Sequence, residues 1–125
     1  MEPYTSMQTA AALFGVAALG GLLMAGIRLS GTPHPPAWLA MLHGLLAAAG
    51  LSLLIYTAAT VGIPSLAMIA LGLFVVAVMG GAIMNLLFHW KSKPLPIPLM
   101  IGHAFLAVTG FVLLLICICS AAPTR

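Results

Sequence analysis

Pro36–Gly50 reads PAWLAMLHGLLAAAG, and Pro96–Gly110 reads PIPLMIGHAFLAVTG. Each stretch opens on proline, closes on glycine, and carries one histidine inside an apolar run: His43 in the first, His103 in the second. Proline, leucine, histidine, leucine, alanine and glycine fall on matching positions in both. An uninterrupted apolar run of this kind is too long for a strand and has the length of a buried or membrane helix.

The match extends outward from these two stretches. Laying residues 10–60 on residues 70–120 without a gap gives sixteen identical pairs in fifty-one. So biased a composition would give about one in ten by chance, and the pattern reads as a tandem duplication. The units are about 8–60 and 68–120, within a single transmembrane domain spanning 1–125. Each unit holds two apolar runs, so both units would enter a membrane in the same direction, as a parallel repeat.

Composition fixes the solvent. The chain is 63% hydrophobic and 4% charged, with Glu2 its one acidic residue. Soluble domains carry about 25% charged residues, so lipid is the expected surroundings. Four runs are long enough to span: about Gln8–Leu29, Ala37–Ala59, Pro64–Trp90 and Pro96–Cys119. Backbone groups in lipid must be bonded within their own segment, so these are helices. Thr5 or Ser6 is the expected cap of the first, and the SGTPHPP link ends it. Short links make sequence neighbours antiparallel neighbours. The expected fold is therefore an all-α membrane protein, four transmembrane helices forming two tandem-repeated helical hairpins in an up-down bundle.

Orientation follows from charge. Arg28, Lys91 and Lys93 flank the first and third links, and the opposite side has only Arg125. The positive-inside rule places the basic loops in the cytoplasm and both termini outside, in a bacterial inner membrane. Trp38 and Trp90 at one side and Tyr4 and Tyr56 at the other fit interfacial belts. The N-terminus has no basic region of the signal-peptide kind, and no cleavage is expected. A net charge of +3, scattered along the chain, excludes nucleic-acid binding.

Chemistry centres on the two histidines. His43, Ala47 and Gly50 share a helix face, as do His103, Ala107 and Gly110. The expected depth of both imidazoles is about 10 Å from the cytoplasmic helix ends, at 1.5 Å per residue. Small residues beside a histidine allow close helix packing, or a slot for a flat macrocycle whose metal an imidazole holds. Facing each other, His43 and His103 suit the axial positions of a haem b; each holding its own (bacterio)chlorophyll magnesium is a second reading, and packing with no cofactor a third. Asn85, a buried polar residue near the same depth, is a candidate to orient one imidazole, or is interhelical glue. Gly20-Gly21 and Gly80-Gly81 mark close approach. Met24 and Met84 read as filler, with soft haem ligation the lesser alternative, and the Cys117/Cys119 pair as packing. His34 and His89 read as interfacial, with a metal or proton-relay role the lesser alternative.

Absences narrow the function. No span holds Asp or Glu, which a small proton-coupled multidrug exporter would need. No zinc-type cluster, serine–histidine–acid set or phosphate loop is present, so no enzymatic reaction of its own is expected. The leading expectation is a small integral membrane subunit of an energy-converting complex, respiratory or photosynthetic, that binds haem b or another tetrapyrrole and carries electrons. The alternative is a cofactor-free accessory subunit that packs against other membrane-protein subunits; a small-solute transporter ranks below both for want of a polar pathway.

Overall fold

A computed structural model describes residues 2–121. The chain forms four long helices: α1 (Pro3–Leu29), α2 (Ala37–Thr60), α3 (Ser65–Ile83) and α4 (Ile97–Ser120). A π-helical turn, Met84–His89, prolongs α3. No strand occurs among the described residues. α1, α2, α4, and α3 together with its π-helical turn, are each long and apolar enough to cross a bilayer. The architecture expected from the four apolar runs is thus present as an antiparallel helical bundle. Arg125, the basic residue assigned to the side of the termini, lies outside the described residues.

Helix ends follow the prolines. Pro36, Pro64 and Pro96 each occupy the position just before a helix. Thr5 and Ser6 do not cap α1. The helix starts earlier, at Pro3, whose fixed φ and missing N–H suit a first turn. Ser6 N–H then donates to Glu2 O at 3.0 Å, inside the helix. At the other end of the first hairpin, Gly62 takes φ +84° and lets its N–H return to Thr57 O at 3.0 Å. A glycine is suited to that left-handed position.

α1 packs along α2, and α3 along α4, while α1 meets α4 and α2 meets α3 between the hairpins. Contacts recur at matching positions sixty residues apart. Phe14 and Phe74 stack across the bundle centre, with centroids 3.9 Å apart and planes 12° from parallel. Ala10, Ala70, Leu54 and Leu114 beside them are fully buried. This half of the bundle, toward the chain termini, is closely packed. Lipid supplies no hydrophobic drive between helices, so small residues at the contact must let dispersion act at short range. Gly50 and Gly110 do this. A β-carbon on Gly50 would lie 3.2 Å from the Phe14 ring and 3.3 Å from Ala10 O; one on Gly110 would lie 3.3 Å from both Ala70 O and the Phe74 ring.

The other end carries both basic links. Leu95 N–H donates to Pro33 O at 3.1 Å, and Arg28 Nε donates to Leu95 O at 2.9 Å. The links before α2 and before α4 are therefore joined on one face, as the placement of Arg28, Lys91 and Lys93 implies. Trp38 and Trp90 are both exposed there.

The glycine contacts set a stability test. In Gly50→Ala the added carbon meets a stacked ring and a backbone oxygen, neither free to yield. Overpacking of this kind costs about 1–3 kcal/mol. Gly72 has nothing within 4 Å of its β-position, so Gly72→Ala should be neutral or stabilising. Thermal unfolding in detergent should separate the two variants; equal midpoints would contradict the packing assigned to Gly50.

Candidate functional site

Between the hairpins, on the basic side of the Phe14–Phe74 stack, lies a cleft of about 430 Å³. Its walls are mainly alanine, with methionine, glycine, leucine and valine, from all four helices, and the stacked phenylalanines close its floor. His43 and His103 both face it, as do Asn85 on the π-helical turn and His89 at its end.

Each histidine is the seventh residue of its helix, counted from Ala37 and Ile97. The two therefore sit at one depth. His43 Nδ1 lies 2.7 Å from Ala17 O, and His103 Nδ1 lies 2.7 Å from Ala77 O. A carbonyl oxygen only accepts, so each Nδ1 carries the proton and donates. In a neutral imidazole this leaves Nε2 with a free lone pair. Neither ring makes another hydrogen bond among the described residues, and neither has a sealed, unpartnered nitrogen. This arrangement, Nδ1 tied to a carbonyl and Nε2 open, is the usual preparation of a histidine for a metal.

The glycine pairs explain how the rings reach the carbonyls. Ala17 O also faces the N–H of Gly21 four residues on, and its second lone pair takes the imidazole. A β-carbon on Gly21 would lie 3.1 Å from His43 Cε1 and 3.4 Å from Nδ1. One on Gly81 would lie 3.3 Å from His103 Cε1. A side chain at either glycine would push the ring off its acceptor. A glycine inside a helix costs about 1 kcal/mol in water. Here its return is room for the imidazole edge.

The rings approach each other across the cleft, with centroids 6.1 Å apart and planes 70° from parallel. A metal bonded at about 2.0 Å to each Nε2 from opposite sides would set the centroids about 6.3 Å apart. The observed centroid separation is close to that value, and is also that of an ordinary edge-to-face ring pair. No group of three or more metal-binding side chains forms among the described residues. A metal between these rings would thus have two protein ligands, and a macrocycle is a ligand that brings four more.

The remaining candidates divide. Ala47 and Ala107 line the cleft together with Met24 and Met84. Gly50 and Gly110 lie outside it, spent on the Phe14 and Phe74 contacts. Asn85 faces the cleft but bonds neither imidazole; the carbonyls of Ala17 and Ala77 orient the rings instead. Sequence reading missed Ala17 and Ala77, because any residue has a carbonyl. The signal available was that Ala17, Gly20 and Gly21 all recur sixty residues on. Cys117 is buried and Cys119 exposed, both as free thiols. Comparisons with family models, curated proteins and solved structures find no match, so the site must be read from its own geometry.

The tautomer is directly testable. Nitrogen-15 NMR of histidine-labelled protein should show His43 and His103 both protonated at Nδ1. Gly21→Ala should shift the His43 signals and leave those of His103 in place. Nε2-protonated rings in the unaltered protein would refute the assignment.

Proposed function

We propose that the protein is a small integral membrane subunit of an electron-transfer complex and that it binds haem b in the cleft, with His43 and His103 as axial ligands. What carries the reading is the pair of imidazoles at one depth, each with Nδ1 committed and Nε2 free, at a centroid separation close to that of two ligands on one shared metal. The cleft supports it in two ways. Its walls are apolar, as a macrocycle face requires, and Ala47 and Ala107 keep space beside each ring.

A bound haem would supply one-electron redox chemistry. With His43 and His103 both holding the group, the role that fits is a carrier between partners. The chain's own residues contribute ligands of fixed tautomer, a low-polarity cleft, and the Phe14–Phe74 floor. (Bacterio)chlorophyll is disfavoured because one magnesium on each histidine would place two macrocycles in this single cleft. The exposed apolar helix faces would meet lipid and neighbouring subunits. In a bacterial inner membrane the basic links would face the cytoplasm and both termini the outside. The sixty-residue correspondence of the hairpins would reflect a tandem duplication.

An absorption spectrum of protein purified from haem-replete cells tests the proposal. The expected result is a Soret band that sharpens and shifts on dithionite reduction and is lost in both His43→Ala and His103→Ala. A colourless protein after haem reconstitution would sink it and leave the accessory subunit; a far-red band would point to chlorophyll. Orientation is checked separately. Reporters fused to the C-terminus should be active only outside the cytoplasm, and cytoplasmic activity would overturn the topology.

A further inference from the structure

His34 and His89 form a second imidazole pair, at the basic mouth of the cleft. Their centroids are 5.0 Å apart with planes 53° from parallel. His34 belongs to the link before α2, and His89 ends the π-helical turn after α3. No hydrogen bond to the protein occupies any of their four ring nitrogens among the described residues.

We propose that His34 and His89 chelate one borderline divalent transition-metal ion, of the Cu²⁺ or Zn²⁺ class, on adjacent coordination positions. The distance carries the geometry. Two imidazoles on one ion with bonds of about 2.0 Å have centroids about 5.1 Å apart at the tetrahedral angle, against about 6.3 Å when opposed. The His34–His89 pair falls at the first value, and the His43–His103 pair near the second.

The backbone holds the pair ready. His34 lies between Pro33 and Pro35, and its link is tied to the other by the Leu95 N–H to Pro33 O bond at 3.1 Å. His89 is fixed from the opposite side. The turn that follows it closes through Ser92 N–H to His89 O at 3.0 Å, with Ser92 held at φ +53°. A left-handed serine costs about 1–2 kcal/mol, so the turn is not the chain's easiest path. The mouth differs from the cleft interior in lying at the links, beside Arg28, Lys91 and Lys93. Two protein ligands suffice there, because water or an anion completes the shell. Lys91 and Lys93 beside the site repel a bare cation and favour an anion as the co-ligand. Among borderline ions Cu²⁺ binds imidazole most tightly. A bound ion would lock the two links over the cleft, independently of what the cleft contains.

The test uses the full-length protein without a polyhistidine tag, titrated with Cu²⁺ and with Zn²⁺. One equivalent should bind, and the copper electron paramagnetic resonance spectrum should show coupling to two imidazole nitrogens. His34→Gln and His89→Gln should each weaken binding by more than the 10–100-fold that follows loss of a ligand's own hydrogen-bond partner. Because a link variant can disturb folding, Zn²⁺ is also followed by NMR on the unaltered protein. His34 and His89 ring signals should move while those of His43 and His103 stay. Unchanged binding in the two glutamine variants, no shift of the His34 and His89 signals, or no bound equivalent in a few-fold excess of metal would each overturn the site.

Discussion

Two hydrogen bonds, each 2.7 Å long and each running from an imidazole to a carbonyl of the partner helix in its own hairpin, tie the register within each hairpin. Apolar helices in lipid gain little from one register over another, since lipid tails replace side-chain contacts almost without penalty. A polar group with a single acceptor in reach removes that freedom. Such bonds in membranes average about 0.6 kcal/mol and reach about 1.7 kcal/mol. Their value here is positional more than energetic. Each requires an open carbonyl, hence a glycine four residues on, hence a helix face stripped of side chains just where the ring lies. Ala17 with Gly21 and Ala77 with Gly81 meet that requirement together.

From the bonded level the bundle changes character in both directions. Toward the termini, Gly50 and Gly110 bring backbone against phenylalanine, and the Phe14–Phe74 stack leaves no space. Toward the basic links, alanines and glycines line much of the space between the hairpins, and a cleft opens there. The same class of small residue therefore produces contact in one half and vacancy in the other. The difference lies in what fills the facing position: an aromatic ring beside Gly50, an imidazole held back against its own hairpin beside Gly21.

This is also why the sequence was legible to different depths. Four spans, their antiparallel order and the shared face of the basic links follow from run length and from Arg28, Lys91 and Lys93, because lipid permits few alternatives. The equal depth of His43 and His103 follows from their matching positions after Pro36 and Pro96. The division of labour within HxxxAxxG does not. Period alone puts histidine, alanine and glycine on one face; it does not say that Gly50 is covered by Phe14 while Ala47 looks into a cleft. The early start of α1 at Pro3 and the π-helical end of α3 were hidden for a related reason. Both depend on hydrogen-bond choices at a terminus, where residue type constrains the backbone weakly.

The Nδ1 side of each histidine is taken up by packing and register. A ring that only fixed register would need Nδ1 and its carbonyl, and would gain from having Nε2 covered or replaced by carbon. Instead both Nε2 atoms and the Asn85 amide lack protein partners, in a cleft whose other walls are apolar. None of these atoms is sealed from its surroundings, so each stays accessible from the cleft. The asymmetry of the two hairpins points the same way. Where α1 carries Ala25 and Leu29, the second hairpin has Asn85 and His89, and a π-helical turn that occurs nowhere else among the described residues. π-Helical segments concentrate at functional sites, and this one adds polar groups to the cleft and to its mouth, where packing had no use for them.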